Sequence, residues 1–352
     1  MGKDVLADRY GRLFQFPFCL AKSGHKVTCL LTDYHFRSDV VGPLEQDGVT
    51  WISAPVSRIG KLLGHMRRIA RDTDVIIGSS DCMQVCIAAH LANKYSKPYV
   101  LDLYDNYESF GLSRVPFVRS RYRKSLREAD AITCVGDELK GLVQSAYAPR
   151  GTLVTLNSTI SAGQFYPVEK SRAREELSLP GGEILVGVCG GLTHHRGIEH
   201  FYRAVAELWA EGMDFKLVLA GTVDEAVPPP PGENTILLGN LAFDQMNWFY
   251  NALDLNVLHY IDNDFGRYAY PQKLEEIVST RAPLVAADVG ELRRRFAATQ
   301  SVLYKPDDTN SIKQAVARQL VEPCPYDFRT QNWEEVVAKL EDLLFALTRG
   351  DG

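Results

Sequence analysis

The chain has 352 residues, 45% of them hydrophobic and 24% charged, with a formal net charge of -5 and an isoelectric point near 5.9. That length exceeds what one hydrophobic core organises, and that composition is too apolar for a disordered chain, so two globular domains are expected. The acidic balance and the lack of a nucleic-acid-binding motif exclude DNA or RNA as a partner. No run of about 18 apolar residues is present to span a bilayer, and the N-terminus has no signal-peptide core. Cysteines at 19, 29, 82, 86, 134, 189 and 324 form no CxxC pair, which excludes a structural zinc and suits reduced thiols. A cytoplasmic protein, or one on the inner face of a membrane, is the expectation.

In chain order, short β-rich apolar runs alternate with helical patterns, the signature of parallel sheets with crossover helices. The first half offers strands at 26–32, 73–79, 98–104, 131–135 and 152–156. The second offers 183–190, 215–221, 235–239, 255–260, 283–288 and 301–305. Between them, Phe165 to Pro180 is polar and bounded by prolines, and reads as the linker. AVPPPPGEN at 226–234 reads as a rigid surface turn. The domains expected are 1–165 and 166–330, with a closing helix at 331–352 packing back across them. The fold class is therefore α/β, two Rossmann-like domains whose parallel sheets present their carboxyl ends to a central cleft.

Charge is unevenly shared. Residues 1–165 carry 21 Lys and Arg against 16 Asp and Glu, and the remainder carries 18 against 28. The positive excess gathers in Arg58, Lys61, Arg67, Arg68 and Arg71, then in Arg114, Arg119, Arg121, Arg123, Lys124 and Arg127 with Phe117 and Tyr122 interleaved. One reading is contact with an anionic membrane through Arg119, Arg121, Arg123 and Lys124; the other is a solvated helix face.

Two motifs carry chemistry. In VGVCGGLTHHRGIEHFYRAVAEL a strand gives way to a helix, so Gly190 and Gly191 let backbone approach a ligand, and Arg196 follows as a clamp for a diphosphate. The GxGxxG spacing of a dehydrogenase is missing. His194 and His195 are secondary candidates, being adjacent on a loop. In YPQKLEEIVSTRAPLVAADVG, Pro271 fits a first helical position, and Leu274, Ile277 and Val278 mark a buried face. Lys273 and Glu276 share another face, where the helix N-terminus and Lys273 suit a phosphate and Glu276 suits the two hydroxyls of a ribose. An ordinary amphipathic helix is the plainer alternative for this segment. Asp105, at the end of LDLYDNYESFG, reads either as a contact for a sugar or acceptor hydroxyl or as a cap on the next turn.

Taken in order, these motifs resemble the glycosyltransferases of family 4, which have the GT-B architecture and retain anomeric configuration. The glycine loop GGLTHHRG, the strand KLVLAG, the turn and helix ILLGNLAFDQMNWFYNALDLNVL, the Pro-x-Lys-Leu-x-Glu helix and the closing NWEEVVAKLEDLL all have counterparts. DRYGRLFQFPFCLAKSGHKV resembles the opening loop and helix of the acceptor domain.

The resemblance implies a nucleotide diphosphate sugar, UDP- or GDP-linked, as substrate, with no cofactor and no metal. It places Arg196 on the diphosphate with Lys273 beside it. The donor site takes Gly190, Gly191, Pro271, Leu274 and Glu276, with Gly239 and Asn240 at the base. Gly11 and Arg12 fall in the acceptor-side loop. It further implies a glycan or lipid-linked acceptor in surface polysaccharide or lipopolysaccharide synthesis. An epimerase or phosphorylase on the same fold, or a sugar-nucleotide-binding or membrane-scaffold protein without catalysis, are the alternatives.

Departures from the family pattern are specific. Tyr268 stands where many members have an acidic residue, Gly191 where others have arginine, and Tyr104 where others have histidine. Arg281 replaces a helix-stopping glycine. The opening MGKDVLADRYGR leaves little room for a first strand, which is expected to be short or missing.

Overall fold

The computed structural model describes residues 5–33, 41–109, 111–326 and 329–349. The Lys61 side chain lies outside the described residues. The chain divides into two units, the first formed by residues 1–159 and 331–352 and the second by 160–330.

In the first unit, β1 (Val27–Asp33) pairs in parallel with β3 (Val49–Pro55), which pairs in antiparallel with β2 (Val41–Gln46). The sequence reading missed this hairpin. Its signal is Asp47-Gly48, whose φ values of 55° and 77° supply the two left-handed positions of a tight turn. A separate parallel sheet runs β4 (Ile76–Ser79), β5 (Tyr99–Leu103), β6 (Ala131–Cys134) and β7 (Thr152–Thr155).

Among the described residues no strand joins β1 to β4, so this unit holds two separate sheets. Val5–Asp8 is helical. Side chains bridge the break. Leu30 of β1 and Ile76 of β4 pack into one cluster with Leu62, Met66 and Leu91. On the other face, Phe16 of the helix Arg12–Lys22 meets Trp333 edge-on at 6.0 Å, which fixes the C-terminal helix Trp333–Arg349 to this unit.

The second unit is one six-stranded parallel sheet. Its strands are β8 (Leu185–Cys189), β9 (Lys216–Ala220), β10 (Thr235–Gly239), β11 (Leu255–Leu258), β12 (Leu284–Ala287) and β13 (Leu303–Tyr304), in the order β10-β9-β8-β11-β12-β13. The chain begins at β8, moves out to one edge, and returns to the other side of β8 with β11. That reversal leaves a crevice beyond the carboxyl ends of β8 and β11, where open α/β sheets bind ligands.

The expected linker at 165–180 is instead part of this unit. Phe165 packs edge-on against Phe243, and the helix Lys170–Glu176 buries Ala173 and Arg174. The Arg174 guanidinium donates to Ala252 O at 2.9 Å, Gly181 O at 2.7 Å and Asp254 Oδ2 at 2.6 Å. Flanking prolines and local polarity concealed these long-range partners.

Candidate active site

The helix Gln272–Thr280 forms because Leu274, Ile277 and Val278 bury one stripe, at roughly 1.5–3 kcal/mol for a fully buried side chain of this size. Pro271 precedes the first helical turn as its cap rather than opening it; its carbonyl accepts from Leu274 N at 2.8 Å. Arg281 stops the helix in the left-handed region, φ 58°, as the missing glycine implied. Leu274 is a correction to the donor set. It is fully buried in the core of the second unit and offers no surface to a ligand.

The same helix turns Lys273 toward the end of β8, where its Nζ donates to Cys189 O. Gly190 follows with φ 111°, and a Cβ there would collide with Lys273 Nζ, so glycine is required for the lysine to reach this place. Glu276, one turn on, is 6% exposed and accepts from Tyr250 Oη at 2.5 Å. Tyr250 Oη also lies 3.6 Å from Cys189 Sγ, so the tyrosine ties the glutamate to the end of β8.

Arg196 ends the short turn His194–Arg196, with Gly191 beside its guanidinium and the Phe265 ring 5.1 Å from its Cζ. Gly197 then adopts φ 68° against Ile261, whose Cγ2 leaves no room for a Cβ. Beneath this turn lies His259, which the sequence reading missed. It is buried, and its Nε2 donates to Gly197 O at 2.9 Å. Since the carbonyl only accepts, Nδ1 carries no proton and accepts from Tyr304 Oη at 3.0 Å. Burial pushes the imidazole down to about 4, so it is neutral at physiological pH. The available signal was a histidine closing an otherwise apolar strand.

Arg196, Lys273 and His259 thus line one crevice with Cys189, Gly191 and Tyr260. Neither Arg196 nor Lys273 has a carboxylate partner among the described residues. Two cations stand un-neutralised at a sheet end beside a helix N-terminus, an arrangement suited to phosphate. The loop leading to this helix is anchored from below. The buried Glu275 pairs with Arg295 at 3.0 Å and accepts from Tyr270 Oη at 2.5 Å. Burial raises its carboxyl above the ordinary value, and Arg295 opposes the rise.

Along the sheet, Gly190, Gly221 and Gly239 end three adjacent strands. Gly190 N donates to Ala220 O at 2.8 Å and Gly221 N to Gly239 O at 2.6 Å. The Asn240 side chain accepts from Thr222 Oγ1 at 3.3 Å. His194 faces away toward Glu199 at 2.9 Å, and both it and His195 are exposed.

In the first unit, Gly11 caps the helix Arg12–Lys22 with φ 75°. Arg12 is a second correction. Its guanidinium is buried, bonds both oxygens of Asp102 and donates to Leu156 O at 2.9 Å, so it is a structural tie and presents nothing to an acceptor. Asp102 further accepts from Ser79 Oγ at 2.8 Å and Thr133 Oγ1 at 2.6 Å.

Asp105 is half-buried after β5. Its Oδ1 accepts from Asn106 N at 2.7 Å, and burial raises the carboxyl above its ordinary value. Of the expected membrane-facing cations, Arg119 and Arg123 both pair with Glu108, with their side chains still partly exposed. Burial raises the Glu108 carboxyl, but Arg123 and Tyr147 outweigh it and leave the group below its ordinary value.

The two α/β units, with the crevice in the second, have the GT-B fold. Residues 183–322 match the family described as glycosyl transferases group 1. A 2-deoxystreptamine glucosyltransferase of Streptomyces kanamyceticus is 25% identical over 223 residues, which cover 60% of this chain and 56% of that enzyme. The match therefore spans a little over half of that relative's length.

Among solved structures, the sucrose-phosphate synthase of Thermosynechococcus elongatus superposes with a TM-score of 0.75 at 16% identity, covering 99% of this chain and 94% of that one. HepE of Anabaena, solved in complex with UDP, gives 0.65 at 14% identity over 92% of this chain and 100% of that one. At these identities the likeness is one of fold. No described helix is long and apolar enough to cross a membrane.

Proposed function

We propose that this chain transfers a sugar from a UDP- or GDP-linked donor to an acceptor hydroxyl with retention of configuration, as in glycosyltransferase family 4, and without a metal ion. The observation that carries the reading is the pair Arg196 and Lys273, left without carboxylates at the ends of β8 and β11. Negative charge develops on the leaving diphosphate as the glycosidic bond breaks, and positioned cations and a helix N-terminus stabilise that charge most where water is excluded. Glu276, held by Tyr250, is assigned the ribose, and Gly239 with Asn240 the base. Asp105 is assigned the acceptor hydroxyl, and the leaving phosphate removes that hydroxyl's proton on the same face of the sugar. The UDP bound to HepE, a protein of the same fold, supports a nucleotide diphosphate as the ligand.

The basic first half favours an acceptor held at the cytoplasmic face of a membrane, as a lipid-linked glycan in surface polysaccharide synthesis. A donor screen with product mass spectrometry tests the transfer, and anomeric NMR of the product tests its stereochemistry. Transfer that survives chelator and yields a retained product is expected. A trapped covalent glycosyl-enzyme or an inverted product contradicts the mechanism.

A further inference from the structure

The three most exposed large hydrophobic side chains described in the first unit lie within six residues: Leu112 at 50%, Val115 at 46% and Phe117 at 69%. Residues 111–127 also hold six Lys and Arg and no Asp or Glu. The structure sorts these cations. Arg119 and Arg123 are taken by Glu108. Lys124 is 3.7 Å from Glu128 in a solvated i,i+4 pair, which is worth little. Arg114 and Arg121 have no carboxylate among the described residues.

On the helix Pro116–Glu128, positions 117, 121 and 124 share one face, opposite the buried Tyr122 and Leu126. The Arg121 guanidinium rests 5.5 Å from the Phe117 ring. A solvated basic helix has no cause to present a phenylalanine at its head, and an apolar protein partner has no cause to accept the cations around it. An anionic lipid surface takes both: the apolar side chains enter the headgroup boundary and the cations meet phosphates.

We infer that Gly111–Lys124 is a membrane-docking prong in which Leu112, Val115 and Phe117 insert into an anionic leaflet while Arg114, Arg121 and Lys124 bind its phosphates. The inference rests on the membrane-held acceptor proposed above and gives that acceptor's membrane a place on the first unit.

The test is co-flotation of the full chain with phosphatidylcholine vesicles, with and without phosphatidylglycerol. Binding to the anionic vesicles alone is expected. Phe117→Ala is expected to weaken it about tenfold or more, and Arg121→Gln and Lys124→Gln about fivefold each. Val321→Ala, at another exposed apolar position, is expected to change nothing. In Phe117→Trp, brominated lipid is expected to quench the new indole. Undiminished binding in all three prong variants overturns the prong and leaves the membrane reading standing. No binding to either vesicle overturns both. Self-association that Phe117→Ala abolishes, without vesicle binding, assigns the face to a second copy and overturns the inference.

Discussion

Each unit places an arginine near the carboxyl ends of its parallel strands, and the two are handled in opposite ways. In the first unit Arg12 is buried, meets both oxygens of Asp102, and donates from Nη1 to Leu156 O and Ser158 Oγ. In the second unit Arg196 lines a crevice with Lys273, and no described carboxylate meets either. A charge neutralised inside the fold holds the fold together. A charge left open at a strand end is available to a ligand. Residue type is the same in both places, so the partner decides the role.

The comparison breaks most sharply at Asp102. Asp102→Ala strands a buried guanidinium, and a loss of about 3–5 kcal/mol is expected in urea denaturation of the first unit. Native-state hydrogen exchange of the second-unit strands is expected to stay protected, and a loss of protection there contradicts the division. Lys273→Ala and Arg196→Ala reverse the pattern. Each is expected to lower kcat about 100- to 1,000-fold with little change in urea midpoint. A large stability loss with intact turnover makes these cations structural.

His259 gives the second unit a pH signature of its own. Its unfolded form takes a proton near 6.5, but burial holds the folded form down to about 4. The unfolded state therefore binds more protons in that window, and stability rises with pH from about 4 to about 6.5, by roughly 3 kcal/mol. His259→Phe is expected to flatten this slope in melts taken at stepped pH. It also frees the Gly197 carbonyl, so Arg196-dependent donor binding is expected to weaken even at neutral pH. At the small end, Arg267→Ala removes an exposed pair with Asp262 and is expected to cost less than about 1 kcal/mol.

Much of this was legible in the sequence. Every strand of the second unit appeared as an apolar run; in β8, β9, β11 and β12 this is because buried parallel strands are apolar on both faces. The helix 272–280 was readable from its periodic stripe and from Arg281 at its end. The hairpin β2–β3 was passed over because Pro43 and Glu45 blur its alternation, although Asp47-Gly48 marked its turn.

The placement of candidate residues was readable where local spacing fixes it, as with Gly190, Lys273 and Glu276 at the end of β8 and on the helix beside it. Partner choice was not, because Arg12 reaches Asp102 across 90 residues and His259 reaches Tyr304 across 45. Leu274 shows the converse limit: a motif position can be part of the pattern because it packs the helix, with no ligand to meet. The side chains that pack across the break between β1 and β4 on both faces were not readable, because they come from segments far apart in the chain.

The most direct test is calorimetric titration of the intact protein with UDP, GDP and uridine, repeated on Arg196→Ala and Lys273→Ala. Binding of a nucleoside diphosphate is expected, weakened sharply in both variants, while weak binding of uridine is expected to be unchanged because it offers no diphosphate to the two cations. Failure of either diphosphate to bind, or binding that both substitutions leave intact, contradicts the assignment of this crevice to the donor.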